Sequence, residues 1–114
     1  MKLLWLSENH KPLPVQKEWL RRRFGEVEIF EDVNSFKNAR EIKRRYDAGG
    51  YDEILVVAPL SVIDHLCRLG IKPLYAEMKE VKKFEKWDLV YNGRYYRFIT
   101  IKRIAGIEIK FVEV

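Results

Sequence analysis

The segment Ile54-Leu55-Val56-Val57-Ala58 decides the fold class of this chain. It is apolar at every position and lacks the polar alternation of a strand with one solvated face. Such a run is typical of a strand that is covered on both faces, as in α/β proteins, where helices pack on both sides of a parallel sheet. The segment therefore predicts a central strand between two layers of helices.

Predicted strands and helices alternate on either side of this segment. Pro14 and Gly25 mark the ends of the first helix, and Gly70 ends the third. The predicted strands are residues 2–6, 27–30, 54–58 and 73–78, and the predicted helices begin at Pro14, at Asn34 or Ser35, and at Ser61. This alternating order is typical of a parallel sheet with helices on its faces.

The last third of the chain has a different pattern. Asn92-Gly93 separates two strand-like segments and is a strong hairpin signal. Residues 107–114 alternate in polarity, which predicts a half-exposed antiparallel strand. We predict a single Rossmann-like α/β domain over residues 1–114. It has three layers, with a parallel sheet of about four strands that is extended by an antiparallel hairpin and a final strand.

The net charge of the chain is +5, from 22 Lys and Arg against 17 Asp and Glu. Residues 1–57 hold 11 basic and 10 acidic residues and residues 58–114 hold 11 and 7, so most of the excess lies in the second half. A positive excess favours an anionic partner, such as a nucleotide or an oligonucleotide, through long-range attraction. The other interpretation is a solvated surface rich in ion pairs, as in proteins of thermophiles.

Several classes of protein are disfavoured. No segment approaches the ~20 apolar residues of a membrane helix, and the apolar start is too short for a secretory signal. Cys67 is the single cysteine, which excludes an internal disulfide and fits a reducing cytoplasm. The phosphate-binding motifs G-x-G-x-x-G and G-x-x-x-x-G-K are absent. No cofactor or metal site is predicted, since His65 and Cys67 would diverge by about 200° on a helix.

Ligands of open α/β sheets bind at the carboxyl ends of the strands. That rule selects Ser7, Asn9, His10, Lys11, Ser61 and Lys79 as candidate ligand contacts. His10 is the candidate catalytic residue because an imidazole exchanges protons near neutral pH. Ser61 begins a helix whose free N–H groups suit a phosphate, although a helix cap explains this serine as well.

The predicted hairpin adds further candidates. The guanidinium of Arg103 matches a phosphate in shape, and Arg97 should share a face with Arg103 if their strand is unbroken. Tyr95 and Tyr96 could stack on bases.

Three groups of residues have a recognisable order. Ser7, His10, Leu13 and Gln16 follow the first strand, with Glu8 and Asn9 between the first two and Pro14 after Leu13. Gly70-Ile71-Lys72-Pro73-Leu74-Tyr75-Ala76 leads into the fourth strand, and Tyr96-Arg97-Phe98 starts a stretch that ends at Arg103. This order resembles small CRISPR-associated Rossmann-like proteins related to the CARF domain. Their glycine-rich turn after the third strand is replaced here by Ala58-Pro59-Leu60-Ser61.

The resemblance implies a cyclic oligoadenylate ligand that is bound across a two-fold homodimer and that some relatives cleave. In such cleavage a ribose 2′-hydroxyl attacks the adjacent phosphate without a metal. By this resemblance His10 would assist proton transfer, and Ser7 and Ser61 would donate to the phosphate. Lys79 or Arg103 would neutralise its charge.

The first hypothesis is therefore a cytoplasmic nucleotide-binding protein, with or without ring-nuclease activity. One alternative is a non-catalytic interaction protein of a phage or mobile element that dimerises through its C-terminal strands. Another is a sequence-independent nucleic-acid binder.

Overall fold

Helices and strands alternate along most of the chain in the computed structural model, which describes residues 1–114. The elements in chain order are β1 (Lys2–Leu6), α1 (Pro14–Phe24), β2 (Glu28–Asp32), α2 (Ala39–Ala48), β3 (Glu53–Val56), α3 (Leu60–Arg68), β4 (Leu74–Val81), β5 (Leu89–Tyr91) and β6 (Arg94–Arg103). The six strands form one sheet and three helices accompany it, so the predicted mixed α/β class is confirmed.

The sheet has the strand order β2-β1-β3-β4-β6-β5. β1 pairs in parallel with β2 and β3, while β3 and β4 share one paired position, Leu55 with Leu74. β6 runs antiparallel to both β4 and β5. The chain passes from β1 to one side to form β2 and then returns to form β3 on the other side, so the winding direction changes between β1 and β3.

Two apolar cores lie on opposite faces of the sheet. Side chains alternate across a strand, so Leu55 of β3 packs with Leu20 of α1 on one face, and Ile54 and Val56 pack with α2 and α3 on the other. All three of these β3 side chains are buried, as the unbroken apolar run predicts. Full burial of each contributes about 1.5–3 kcal/mol, so β3 contributes strongly to the stability of the fold.

The ends of α1 follow the prediction, but the start of α2 does not. α1 begins at Pro14 and is followed by Gly25, whose φ of 79° suits glycine. α2 is capped by Asn38, whose side chain accepts a backbone amide of the first turn at 2.9 Å. The predicted cap at Asn34 or Ser35 is therefore wrong.

The N-cap of α3 lies two residues before Ser61, the residue predicted to cap it. Pro59 is its N-cap residue and Leu60 its first residue, so Ser61 lies inside the first turn, and no side chain caps this helix. Proline fixes its own φ, here −59°, and its ψ of 153° is extended, so the chain enters the helix directly after it. The predicted capping role of Ser61 is wrong.

The Asn92-Gly93 hairpin is present. Asn92 (φ 50°) and Gly93 (φ 72°) both have the positive φ of a type I′ turn. β6 continues to Arg103, and β4 continues to Val81, three residues beyond its expected end. The long β4–β6 pair extends beyond the ends of the parallel strands, and the β5–β6 hairpin lies on this extension. We call this hairpin, residues 89–103, the arm.

A bulge interrupts β6 at Ile99, which has no paired residue in β4. Arg97 pairs with Lys79, whereas Arg103 pairs with Leu74. These β4 positions are an odd number of residues apart, so their side chains point to opposite faces. The strand is therefore not unbroken, as sharing a face would require, and Arg97 and Arg103 lie on opposite faces.

Residues 107–114 do not form the predicted final strand. Ile104 donates one backbone hydrogen bond to Pro73, and residues 105–114 make none. A strand needs a partner for its backbone groups. β4 pairs along one edge of β6, β5 pairs only with residues 94–96 on the other edge, and residues 107–114 pair with no strand.

Candidate functional site

A cavity of about 1010 Å³ opens at the carboxyl edge of the sheet, where β1 and β3 end. It lies where the winding direction changes, the point at which open α/β sheets bind ligands. Its walls come from the loop after β1, the start of α1, the segment after β3, the middle of β4, the hairpin and the segment after β6. Its size is at the upper end of the roughly 300–1,000 Å³ that ligand pockets span.

Hydrogen bonds hold the loop after β1 in place. Ser7 is buried, and its Oγ accepts the backbone amide of His10 at 3.1 Å. The indole N–H of Trp5 donates to the carbonyl oxygen of His10 at 2.7 Å. Both backbone groups of His10 are thus fixed, and the loop presents Asn9, His10 and Lys11 to the cavity.

The hairpin arm reaches the imidazole of His10. The ring centroids of His10 and Tyr91 are 4.7 Å apart and the planes are inclined by 67°, which is an edge-to-face contact. Tyr91 ends β5, and Tyr96 of β6 lines the same cavity. Two segments that are distant in sequence therefore close one side of the cavity.

Gln16 connects the start of α1 to β4. Its Oε1 accepts the amide of Leu13 at 2.8 Å, and its Nε2 donates to the sulfur of Met78 at 3.6 Å. The residue is buried. One amide hydrogen remains without a partner and is the polar group that Gln16 can offer a ligand.

The cavity lining is mainly hydrophobic and aromatic. Seventeen of its 21 residues are hydrophobic, and the other four are Asn9, His10, Lys11 and Gln16. The large aromatic rings are those of Trp5, Tyr75, Tyr91 and Tyr96. Lys11 is the one lysine or arginine in the lining, which contains no carboxylate. Such a lining can stack a flat ring and neutralise one negative charge.

Ser61 and Lys79 do not line the cavity. Ser61 is exposed in the first turn of α3, whose residues Leu60 and Ile63 do line it. Lys79 is exposed within β4 and pairs with Arg97. The prediction that Lys79 follows the fourth strand is wrong, because antiparallel pairing with β6 extends β4 past it.

Arg103 lies at the opposite edge of the sheet. Its guanidinium donates two hydrogen bonds to the carboxylate of Glu53, at 2.6 and 3.0 Å, and one to the carbonyl oxygen of Lys72 at 2.9 Å. The bond to Glu53 raises the pKa of Arg103 above its ordinary value. Glu53 begins β3, so this pair belongs to the amino end of that strand. A joint site would require Arg103 and His10 to lie close together. The structure places them at opposite edges of the sheet.

Tyr91 and Trp5 are cavity residues that sequence reasoning missed. The Asn92-Gly93 turn places Tyr91 at the end of a hairpin strand, but it does not show which surface that strand meets. Trp5 lies within a buried strand, and its indole N–H reaches the cavity loop only because that loop folds back.

Two wider features complete the description of the chain. No three His, Cys, Asp or Glu side chains lie close enough together to hold a metal ion. None of the three helices combines the length and the apolar character needed to cross a membrane.

Comparisons with protein-family models, with curated proteins and with solved structures found no match for this chain. Function is therefore inferred from the cavity and its residues.

Proposed function

We propose that the protein is a Rossmann-like nucleotide-binding protein and that a ligand of the cyclic oligoadenylate class occupies the cavity where β1 and β3 end. The joint placement of His10, Lys11 and several aromatic rings in one cavity supports this most. A nucleotide needs a flat apolar surface for its base and a cation or donor for its phosphate, and this lining contains both.

In this proposal the adenine ring stacks on the tyrosines of the arm. Tyr91 is positioned by its edge contact with His10, and Tyr96 lies on the neighbouring strand. Stacking of a base on an aromatic side chain contributes about 1–3 kcal/mol. Asn9 also lines the cavity, and its amide suits the hydrogen-bonding edge of adenine.

Lys11 binds the phosphate in this proposal. A hydrogen bond to a charged group contributes about 1.5–3 kcal/mol, so loss of Lys11 should weaken binding roughly ten- to a hundredfold. One cation per cavity fits one phosphate. A cyclic ligand with several phosphates therefore needs cations from two copies of the chain.

His10 is the proton acceptor in a cleavage reaction. The ribose 2′-hydroxyl attacks the adjacent phosphorus, which forms a 2′,3′-cyclic phosphate and breaks the bond to the 5′ oxygen. The hydroxyl proton passes to the imidazole of His10, and the departing 5′ oxygen takes a proton from water. The cavity lining contains no second imidazole, no carboxylate and no thiol, so no other side chain there is suited to this role.

Calorimetric titration of the full chain with cyclic tetra-adenylate and cyclic hexa-adenylate tests the binding proposal. We expect one of them to bind, and Lys11→Gln to weaken that binding roughly ten- to a hundredfold. Lys79→Gln is the matched control, since it removes the same charge from an exposed residue outside the cavity. No binding of either ligand, or equal losses in the two variants, would contradict the proposal.

Product analysis of the same mixtures separates an enzyme from a sensor. If the wild-type protein cleaves the ligand, His10→Ala should slow cleavage about 10²–10⁴-fold and still bind. Binding without cleavage by the wild-type protein identifies a sensor.

A second candidate function is sequence-independent binding of single-stranded nucleic acid. The loop between β4 and β5 favours it, because Phe84 is 85% exposed there, next to Lys82 and Lys83. Exposed rings beside lysines suit a strand whose bases stack and whose phosphates need cations. Oligonucleotide binding that weakens steeply with added salt supports this candidate, and a flat salt response excludes it.

A further inference from the structure

The segment after β6 exposes large apolar side chains that the chain itself does not cover. Ile109 is 74% exposed, Phe111 90% and Val112 89%. Residues 105–114 also make no backbone hydrogen bond. Both the apolar side chains and the backbone groups of this segment are therefore available to another strand.

The two outer strands of the sheet, β5 and β2, are poor partners for this segment. β5 has three residues, too few to pair with the whole segment. The β2 edge carries Glu28, Glu31 and Asp32, while residues 107–114 hold two glutamates and one lysine. Pairing with β2 would bring charges of the same sign together.

We propose that residues 105–113 of two copies of this chain pair as antiparallel strands around a two-fold axis that passes through Ile109. This inference goes beyond the proposed function and does not depend on it, since the pairing needs no ligand. The sequence alternation predicts a strand here, and a second copy supplies the partner that a single chain lacks.

The proposed register matches side chains on both faces of the pair. Residues at alternate positions share a face. On one face Ile107 lies opposite Phe111 of the second copy, and Ile109 lies opposite its own counterpart. On the other face Glu108 lies opposite Lys110 of the second copy, and the two-fold symmetry produces this ion pair twice.

Neighbouring registers match the side chains less well. An axis through Glu108 places the two Glu108 carboxylates opposite each other, and an axis through Lys110 places the two Lys110 ammonium groups opposite each other. Both arrangements are destabilised by repulsion between like charges. An axis through Phe111 sets Ile109 opposite Glu113. An axis between Glu108 and Ile109, or between Ile109 and Lys110, pairs Ile109 with a charged neighbour.

The fold anchors each strand of the pair at its start. Ile104 and Ile107 are half-buried against the core on the α2–α3 face of the sheet. An isolated two-stranded ribbon is marginally stable in water, so packing of its apolar face matters. Six large apolar side chains, three from each copy, share that face and continue from the half-buried Ile107.

Sedimentation velocity of the full chain tests this register through charge reversal. Glu108→Lys and Lys110→Glu each replace two opposite-charge pairs by two like-charge pairs, so each variant alone should dimerise at least about tenfold more weakly than the wild-type protein. An equimolar mixture of the two variants should recover dimer. In that mixture one chain presents two positive charges to two negative charges of the other.

Lys79→Glu reverses a charge on an exposed residue outside the segment and should leave dimerisation unchanged. The substituted segment residues are exposed, so at a concentration where the wild-type protein and the variants are all monomeric their melting temperatures should agree. A wild-type protein that is monomeric at about 100 µM would overturn the proposal. So would a mixture that forms no more dimer than its two components do separately.

Discussion

His10 is a loop residue whose backbone and ring are both held in place. Ser7 accepts its amide, Trp5 donates to its carbonyl oxygen, and Tyr91 packs against its imidazole. A side chain positioned in this way loses little further freedom when a ligand binds, which favours affinity. Ser7 therefore supports the cavity through the loop that carries His10.

Glu41 is the residue at which stability should depend on pH. Its carboxylate accepts the amide of Lys37 at 2.6 Å and the guanidinium of Arg45 at 3.0 Å. These bonds, the one from Lys37 most strongly, lower the pKa of Glu41 below its ordinary value. A lowered pKa stabilises the fold above the pKa of the unfolded chain, and that contribution is lost as the pH falls through the folded-state pKa.

Glu41→Gln should therefore lower the free energy of unfolding at about pH 7 and reduce its decline below about pH 4. Urea unfolding across this range measures both effects. Glu31→Gln is the control, because Glu31 is exposed and makes no side-chain hydrogen bond or ion pair. An unchanged pH dependence in Glu41→Gln would contradict this explanation.

The β5–β6 hairpin is the element that converts a sheet edge into a cavity. Tyr91 and Tyr96 reach the carboxyl edge because the β4–β6 pair extends past the parallel strands. The turn at Asn92 and Gly93 fixes the register of β5 against β6. Ligand binding should therefore depend on that turn.

Gly93→Ala should destabilise the protein by about 1–2 kcal/mol, because alanine at a φ of 72° is strained. The new Cβ would have no atom within 4 Å, so steric contact adds nothing to this cost. Gly106→Ala is the control, since Gly106 has open space around it and no positive φ. Urea unfolding compares the two, and equal stability of both variants would refute the assignment of strain to the turn.

Local elements could be predicted from the sequence, whereas the contacts between them could not. Pro14, Gly25 and the Asn92-Gly93 turn act within a few residues, so spacing and residue type reveal them. The bulge at Ile99 depends on packing between β4 and β6. The alternation of side chains between the two faces of β6 shifts by one residue at this bulge. Sequence spacing alone therefore could not predict which face Arg103 occupies.

Part of the candidate site could be predicted from the sequence. Asn9, His10 and Lys11 follow a buried strand, and all three line the cavity at the strand ends that the rule selects. Their role as ligand contacts stays a prediction. Lys79 was selected by the same rule, but antiparallel pairing with β6 extends β4 past it. Arg103 was selected because its guanidinium fits a phosphate, but it binds Glu53 at the opposite edge of the sheet.

In the molecule as a whole, the cavity and the segment 105–113 meet at Ile107. This residue lines the cavity and also begins the apolar face of the segment. A dimer formed through the segment would bring two cavities toward one two-fold axis. That arrangement suits a cyclic ligand with several phosphates, since each cavity contributes one lysine.

The indole N–H resonances of the three tryptophans test the central claim, that the cavity binds a nucleotide. Trp5 lines the cavity and donates to His10, while Trp19 and Trp87 do not line it and serve as internal controls. Titration of the ¹⁵N-labelled protein with cyclic tetra-adenylate or cyclic hexa-adenylate should shift the Trp5 resonance and leave the other two in place. An unchanged Trp5 resonance at saturating ligand, or equal shifts of all three, would contradict the claim.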